Sequence, residues 1–371
     1  MTIVFNTDQI YLHGGIEKVM ATKANYFANI PGVEVCIVTT EQQGNLTRYH
    51  LDSKIQLLDL GINYDRSKSY FSRSNFFKLF QHFKQQQKLF ETLDPDVIIS
   101  PNYNFDHYWL PFIHQKSKKI KERHSSRFYE KEERQSASFV KKIKFWLDDI
   151  IDKKYDHIVV LNKDEEKYLA SKNGVVIPNP VEIPVFACEL TNKKVMAAGR
   201  IAPVKGFDEL IKAWEIINHR FPDWELHIYG ENYSGTKEML EELIENLNLG
   251  KKIIFKGNVS DLPKEMLDYS IYAMSSETEC FPTVLLEALS VGLPIVSYDC
   301  PNGPRHIIED KEDGFLVKHK DPRDLADKMM VLMNDEILRK RIGKNAKEHS
   351  FRFSNTKVMK KWCELLNLRN V

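Results

Sequence analysis

The chain has 371 residues, of which 42% are hydrophobic and 28% are charged, and its formal net charge is +1. This length and composition are typical of a globular protein of two domains and exclude disordered and fibrous chains. The five cysteines form no CxxC pair, which argues against a zinc site and a disulfide framework. The sequence has neither a signal-peptide pattern nor an apolar run of about 18 residues, so we expect a cytoplasmic protein.

Short apolar runs alternate with amphipathic stretches, a pattern that predicts buried parallel strands connected by helices. The predicted strands of the first half are 2–6, 33–40, 96–100, 119–123, 157–161 and 175–178. After a proline-rich segment, the predicted strands are 193–200, 224–230, 252–257, 271–276, 293–299 and 314–317. The predicted helices include 16–30, 75–93, 138–151, 207–221 and two more after residue 335. We therefore expect an α/β protein with two Rossmann-like domains, whose parallel sheets face each other across a cleft.

The predicted domain boundaries follow from this alternation. Residues 1–178 form the first domain, 179–192 a linker and 193–345 the second domain. We expect the last helical segment, 346–371, to pack back toward the first domain. In an open parallel sheet, ligands bind beyond the carboxyl ends of the strands, so the loops there are the candidates for chemistry.

The first candidate loop is His13-Gly14-Gly15, which precedes a predicted helix. Two glycines let the backbone approach a ligand closely, and the helix N-terminus offers free amides to an anion. A tight strand-to-helix turn explains the pair equally well. The sequence has no GxGxxG pattern, so a dinucleotide cofactor is not supported.

The second loop contains Arg200 and, five positions later, Lys205 at the start of a predicted helix. An arginine grips phosphate oxygens bidentately and a lysine neutralises them as a point charge, as a diphosphate leaving group requires. The alternative is a pair of solvated surface cations.

The third loop and the helix after it carry the sequence ECFPTVLLEALSVGLPIVS, residues 279–297. Glu279 follows a predicted strand and is placed to hold the hydroxyls of a sugar, while Pro282 suits the first turn of the helix. The free amides after Phe281 would point at a phosphate. Glu287, on the second turn, can accept two hydrogen bonds from vicinal hydroxyls, as on a ribose. Its neighbours are apolar, which leaves little room for the alternative of a solvated helix glutamate.

The spacing E-x7-E from Glu279 to Glu287, together with GR-x4-K at 199–205, resembles the retaining glycosyltransferases of the GT-B fold, specifically the large family numbered 4. The resemblance covers the whole chain. It implies that Arg200 and Lys205 bind the donor diphosphate, that Glu279 contacts the transferred sugar and that Glu287 contacts the ribose. The other donor contacts that it implies are with Gly14, Gly15, Phe281, Pro282, Thr283 and Val284.

Pro282 departs from the glycine that this family very often has. Because proline has no N–H, a phosphate contact from that amide is lost, and the amides of Thr283 and Val284 remain. A variant with proline occurs in enzymes that act on lipid-linked saccharides, so we do not expect it to inactivate the protein.

In the first domain, the resemblance assigns a catalytic contact with the donor sugar to His124, which follows the predicted strand 119–123. Without the resemblance, a loop histidine is the simpler interpretation. The resemblance also makes residues 1–178 the acceptor-side domain. Asn102, after the strand 96–100, is a weaker candidate for the acceptor pocket.

Basic and aromatic residues cluster in the first half of the chain. Residues 115–144 contain 11 Lys and Arg against four Asp and Glu, and residues 1–178 carry a net charge of +4. The predicted helices 75–93 and 138–151 combine lysines with aromatic residues. This favours contact with the inner face of a membrane and with a pyrophosphate-linked lipid acceptor. The alternative is that the aromatic residues pack in the core, and the near-neutral charge of the whole chain argues against nucleic acid.

Asp94-Pro95-Asp96 matches the DxD metal motif of other glycosyltransferases by letter only, because it precedes a strand and so lies at the amino end of the sheet. We therefore expect no metal and no other cofactor.

The expected reaction is transfer of a hexose (Gal, GalNAc, GlcNAc or Glc) from a nucleotide diphosphate sugar to a saccharide acceptor, with retention at the anomeric carbon. The segment PNGPRHII, residues 301–308, resembles that of enzymes using UDP-sugars, which favours UDP, with GDP-mannose second. The acceptor that the resemblance implies is a lipid-linked saccharide of a bacterial polysaccharide or glycan. The alternatives are a sugar-nucleotide epimerase of the same fold and a non-catalytic nucleotide-sugar-binding or membrane-binding subunit.

Overall fold

The structure is a computed structural model that describes residues 1–101 and 104–368. The chain divides into two compact units. The first comprises Met1–Pro178 and Met359–Val371, and the second comprises Asn179–Val358. Each unit is built on a parallel β-sheet, which confirms the predicted α/β class.

Seven parallel strands form the sheet of the first unit, in the order β3-β2-β1-β4-β5-β6-β7. They are β1 (Thr2–Thr7), β2 (Glu34–Thr39), β3 (Gln56–Asp59), β4 (Val97–Ser100), β5 (Lys118–Arg123), β6 (His157–Val160) and β7 (Gly174–Val176). The sequence pattern does not predict β3. This four-residue strand lies at the edge of the sheet and is only half-buried, so it lacks the longer apolar run of the central strands.

Six parallel strands form the sheet of the second unit, in the order β10-β9-β8-β11-β12-β13. They are β8 (Lys194–Ala198), β9 (Glu225–Tyr229), β10 (Ile253–Gly257), β11 (Ile271–Met274), β12 (Ile295–Tyr298) and β13 (Gly314–Val317). Every one of them falls within a predicted strand. The apolar side chains of β8, β11 and β12 are almost completely buried, as expected of central strands in a parallel sheet.

The α-helices connect the strands and cover the sheets. They are α1 (Gly15–Ala28), α2 (Arg73–Leu93), α3 (Glu130–Ser136), α4 (Phe139–Asp152), α5 (Lys163–Glu166), α6 (Phe207–Arg220), α7 (Thr236–Asn246), α8 (Leu262–Glu265), α9 (Thr283–Ser290), α10 (Pro322–Asn334), α11 (Glu336–Ser350) and α12 (Asn355–Leu366). Helix α12 starts in the second unit, and from Met359 onward it belongs to the first. Among the described residues, no helix combines the length and the apolarity needed to cross a bilayer.

The interior strand β5 buries charged side chains on both faces of the first sheet. Lys121 and Arg123 point to one face and pair with Asp152 of α4. Glu122 points to the other face and pairs with Lys23 of α1. Of these cations, Lys121 and Arg123 belong to the basic stretch 115–144. They are buried beside Asp152 and add no exposed positive charge, and membrane contact through the remaining basic residues stays a prediction.

Candidate active site

The second sheet reverses its strand order between β8 and β11, so the chain leaves these two neighbouring strands in opposite directions. In an open α/β sheet, such a switch point opens a crevice at the carboxyl edge, and ligands bind there. The loop after β8 carries Arg200 and Lys205, and the loop after β11 carries Glu279. Three residues predicted from the sequence therefore lie at one edge of one sheet.

The loop between β8 and α6 is fastened to the loop after β11. The amide of Glu277 donates to the carbonyl of Val204 at 2.9 Å, and the hydroxyl of Ser275 donates to the carbonyl of Lys205 at 3.1 Å. Gly206 ends this loop with a φ of +58°, and a Cβ there would lie 2.2 Å from the carbonyl oxygen of Ser275. Glycine alone accommodates both this left-handed backbone and so close an approach, so Gly206 fixes the position of Lys205.

Lys205 and Glu279 contact each other directly. The ammonium of Lys205 lies 2.6 Å from Oε1 of Glu279, and the hydroxyl of Ser276 donates to the same oxygen at 2.8 Å. The Lys205 and Glu279 side chains are 22% and 13% exposed, so the pair is half-buried but open to a ligand. The other oxygen of Glu279, Oε2, accepts no hydrogen bond from any side chain or amide in the described part of the chain. The arrangement places a cation for a phosphate beside an acceptor for a sugar hydroxyl.

The loop after β12 holds the Glu279 backbone from the other side. The amide of Glu279 donates to the carbonyl of Pro301 at 2.8 Å. The carbonyl of Glu279 accepts from the amides of Asn302 and Gly303 at 2.8 and 2.9 Å. A Cβ on Gly303 would lie 2.8 Å from the carbonyl oxygen of Cys280, so a side chain there would displace backbone. The segment that resembles UDP-sugar enzymes thus positions Glu279 through main-chain hydrogen bonds.

Helix α9 begins at Thr283, and Pro282 occupies its N-cap position instead of the first turn that the sequence suggests. No side chain caps this end of the helix, so the first-turn amides of Thr283 and Val284 have no partner within it. Phe281 is buried and packs edge-on against Phe353, with ring centres 5.6 Å apart. The Phe281 side chain therefore serves the core, and only its backbone groups remain for the predicted donor contact.

Glu287 lies on α9 with 5% of its surface exposed, which excludes the alternative of a solvated helix glutamate. Burial raises the pKa of the nearby Tyr272, and the carboxylates of Glu279 and Glu287 raise that pKa further. The neutral phenol of Tyr272 donates to the carbonyl of Ala198, at the end of β8, at 3.0 Å. Tyr272 thus joins the two strands of the switch point close to both acids. The sequence does not reveal it, because a tyrosine in an apolar run looks like any other core residue.

Arg200 follows β8 and is exposed, with its guanidinium 5.1 Å from the ring centre of Tyr233. The neighbouring backbone is ordered by the loop after β9, since the amide of Ile201 donates to Glu231 at 2.8 Å. An exposed guanidinium with an ordered backbone is accessible to phosphate oxygens. The structure places Arg200 at the predicted edge of the sheet but in no ion pair with Glu279.

In the first unit, His124 directly follows β5, and its side chain is 5% exposed. Its Nε2 atom lies 3.3 Å from Oε2 of Glu122, whose carboxylate also pairs with the ammonium of Lys23. Burial alone raises the pKa of Glu122, but Lys23 and His124 outweigh it and hold the pKa down at about 2. A buried carboxylate therefore lies against the His124 ring, and the sequence does not identify this neighbour. The catalytic role of His124 stays a prediction.

The glycine loop of the first unit has its own carboxylate. Gly14 is the N-cap of α1 and Gly15 its first residue. The Glu17 carboxylate lies against Gly14, where a Cβ would be 2.2 Å from its Oε2, and it accepts a hydrogen bond from Gln9 at 2.7 Å. The first turn of α1 thus already holds a negative charge. The predicted donor contacts of Gly14 and Gly15 stay predictions, and Asn102 lies outside the described residues.

The first sheet has a switch point between β1 and β4. Acidic residues that the sequence does not reveal lie at this point. Asp8 follows β1 and lies 3.0 Å from the Arg66 guanidinium, which also approaches Glu41 at 2.6 Å. Burial raises the pKa of Asp8 to about 7 against the opposing charge of Arg66. The sequence does not reveal Asp8, because a single aspartate after a strand forms no spaced motif with other residues.

Two groups of acids bear on metal binding. Asp94 and Asp96 lie at the amino end of the first sheet, where Asp96 accepts a hydrogen bond from the amide of Thr2 at 2.7 Å. Within the described residues, one group has three ligand atoms within 4.8 Å of one another, formed by Glu309, Asp313 and His349. Arg352 pairs with both acids of that group, so its charge is already balanced by the protein.

Sequence similarity to known proteins relates the residues of this site to a family. The family model described as glycosyl transferases group 1 matches residues 182–349, which contain Lys205, Glu279 and Glu287. An uncharacterized glycosyltransferase of Haemophilus influenzae is 29% identical over 217 residues, which are 57% of this chain and 61% of that protein. The poly(ribitol-phosphate) alpha-N-acetylglucosaminyltransferase of Staphylococcus aureus is 30% identical over 178 residues, 48% of this chain and 36% of that enzyme. The chain thus spans less than two thirds of these relatives.

A solved structure extends the likeness to both units. A mutant of Staphylococcus aureus TarM, in complex with Fondaparinux, alpha-GlcNAc-glycerol and UDP, has a TM-score of 0.79 at 18% identity and covers 99% of each chain. Residues 182–349 therefore match the glycosyl transferases group 1 family, and the chain as a whole has the GT-B fold. The predicted GT-B fold is confirmed, and the segment that matches the group 1 family lies in the second unit.

Proposed function

We propose that this protein is a glycosyltransferase, specifically a retaining hexosyltransferase of family 4 that needs no metal. It would move Gal, GalNAc, GlcNAc or Glc from a UDP-sugar to a saccharide acceptor. The observation that carries the proposal is the Lys205–Glu279 pair at the switch point of the second sheet. Beside it lie the uncapped amides of α9 and the buried Glu287. Cations and amides suit a diphosphate, and carboxylates suit the hydroxyls of a hexose and a ribose.

The proposed step is a displacement on one face of the donor sugar. The acceptor oxygen forms a bond to the anomeric carbon while the bond from that carbon to the diphosphate oxygen breaks. Arg200, Lys205 and the amides of α9 would stabilise the charge that develops on the leaving diphosphate. A phosphate oxygen of the leaving group takes the proton of the acceptor hydroxyl. Glu279 would hold hydroxyls of the transferred sugar through its Oε2 atom.

The acceptor that we propose is a lipid-linked saccharide of a bacterial polysaccharide, met at the cytoplasmic face of the membrane. The name of the Staphylococcus aureus relative contains poly(ribitol-phosphate) and N-acetylglucosamine. This supports a role in the biosynthesis of a bacterial polymer and a donor that carries an amino sugar. The UDP in the TarM complex supports the nucleotide. GDP-mannose is the second candidate donor.

Calorimetric titration of UDP in the absence of metal tests the nucleotide site. We expect Glu287→Ala to weaken UDP binding by about 2–5 kcal/mol, the cost of truncating one partner of a buried charged hydrogen bond. The matched control is Glu242→Ala, an exposed glutamate on α7 of the same unit. Tighter binding of GDP than of UDP would change the donor and keep the family. Equal binding by the Glu287 and Glu242 variants would refute the ribose role of Glu287.

Product analysis separates the rival activities. Incubation with a panel of UDP-sugars and no acceptor should leave the sugars unchanged apart from slow hydrolysis, whereas an epimerase would convert them. Glu279→Gln should keep most UDP binding and lose transfer, because its carboxylate is proposed to hold the transferred sugar and not the nucleotide. Full transfer by Glu279→Gln would contradict this assignment.

A further inference from the structure

Two helices of the first unit, α2 and α4, present apolar side chains to solvent and polar side chains to the interior. On α4, Phe139, Val140 and Trp146 are 78%, 76% and 60% exposed, whereas the buried side chains are Asp148 and Asp152. A surface helix of a globular protein normally has the opposite arrangement. This corrects the alternative in which the aromatic residues pack in the core.

Helix α2 has the same inversion. Its exposed aromatic side chains are Phe76, Phe77, Phe80 and Phe83. Its buried side chains are Asn75, Leu79, His82, Gln86 and Phe90, three of them polar. The buried set recurs with the helical period, so the inversion involves a whole face of the helix.

The inward polar side chains have partners inside the unit. Asp152 of α4 accepts from Lys121 of β5 at 2.9 Å. Gln86 of α2 donates to Asn6 at 2.9 Å and to Asp106 at 2.8 Å. Because buried polar groups are costly without such partners, these contacts fix which side of each helix faces the sheet. The apolar sides are consequently directed to solvent.

Both helices pack against the same short segment of the first unit, residues 105–109. Between the helices, Tyr108 donates to Asp148 of α4 at 2.7 Å and Trp109 donates to Gln86 of α2 at 2.7 Å. The ring of Trp109 also lies 6.0 Å from that of Phe83. We define the α2–α4 face as the exposed side chains of these two helices.

The α2–α4 face is positively charged. Asp149 of α4 pairs with Arg134, and Lys141 pairs with Glu133, so these two pairs add no net charge. Glu91, near the end of α2, is the one acid of that helix. The exposed lysines of the face, apart from Lys141, are Lys84, Lys88, Lys142 and Lys144. Aromatic rings interleaved with lysines are the composition of a helix that lies in the interface of an anionic bilayer.

We propose that the α2–α4 face docks on a bilayer containing anionic lipid, with its aromatic rings at the level of the headgroups. The inference deepens the proposed function and rests on it, because the bilayer is where a lipid-linked acceptor would be met. A second copy of the chain fits the face less well. A two-fold contact would place the lysines of one copy against those of the other, and like charges at an interface are unfavourable.

Vesicle flotation of the full chain tests the proposal, with phosphatidylcholine vesicles that contain or lack phosphatidylglycerol. We expect binding to the anionic vesicles and its decline at high salt. Phe139→Ser/Trp146→Ser should weaken binding by roughly tenfold or more, since it removes the two most exposed aromatic rings of α4. Lys142→Gln/Lys144→Gln should weaken it by roughly 30-fold. Leu46→Ser is the control, because Leu46 is 91% exposed in the same unit but lies outside the face.

Several outcomes would overturn the proposal. One is that the unmodified chain does not float with anionic vesicles, and another is that the Phe139/Trp146 variant floats as well as the Leu46 control. A third is that light scattering shows a dimer that Trp146→Ser converts to a monomer, which would make a second copy the partner. UDP titration of the same samples separates the two proposals. Vesicle binding without UDP binding would overturn the proposed function alone, and UDP binding without vesicle binding would overturn the docking face alone.

Discussion

Replacing Glu122 by glutamine removes one partner of an ion pair that the first unit buries almost completely. The side chains of Glu122 and Lys23 are each 1% exposed. The Lys23 ammonium also lies 4.6 Å from the ring centre of Trp362, which adds a cation–π contact but no counter-charge. Glu122→Gln therefore leaves a buried ammonium without its carboxylate.

The size of the effect follows from the burial. Removing one partner of a buried ion pair costs about 3–5 kcal/mol, whereas replacing both partners is often close to neutral. We expect Glu122→Gln to lower the free energy of unfolding by that amount at neutral pH, and Lys23→Met/Glu122→Gln to recover most of the loss. Burial lowers the pKa of Lys23, and removing Glu122 lowers it further. Between the lowered pKa of Lys23 in the folded variant and the ordinary pKa of lysine, the folded variant binds fewer protons than the unfolded chain, so its stability should rise with pH in that range.

Urea unfolding, followed by tryptophan fluorescence and circular dichroism at neutral pH and at about pH 9, measures these changes. The control is Lys193→Gln, which breaks an exposed pair with Asp223 and should cost less than about 1 kcal/mol. The reasoning is refuted if Glu122→Gln costs no more than this control. It is equally refuted if the double variant costs the sum of the two single variants, since no coupling would then exist.

Two further predictions concern the carboxyl edges of the sheets. Because burial raises the pKa of Asp8 to about 7, its contribution to stability is present below its unfolded pKa and is lost as the pH rises through about 7. Asp8→Asn should therefore reduce the loss of thermal stability between mildly acidic and mildly alkaline pH, and an unchanged pH profile would contradict this. Gly206→Ala should lower the free energy of unfolding by about 1–2 kcal/mol because of its left-handed backbone alone. The close contact with the carbonyl of Ser275 should lower it further, and the variant should bind UDP more weakly. Gly250→Ala, where a Cβ meets nothing within 4 Å, is the control and should change neither quantity.

The sequence by itself determined the α/β class and the positions of the candidate loops. Alternating apolar runs are enough for this, because a parallel strand that is buried on both faces must be apolar along its length. The carboxyl end of each strand then locates the loops that carry Arg200, Lys205 and Glu279. The sequence could not show which of those loops contact each other, since the Lys205–Glu279 pair joins residues 74 positions apart.

Only the tertiary structure decided which face of each helix is covered. Periodicity shows which residues of α2 and α4 share a face, but it assumes that the apolar face is the inner one. Here the assumption fails, because buried acceptors and cations such as Asp106 and Lys121 come from distant segments and bind the polar faces. The same holds for β5, whose charged side chains are buried because α1 and α4 supply their counter-charges. Burial of a charge depends on its partner, and the partner is known only when the chain is folded.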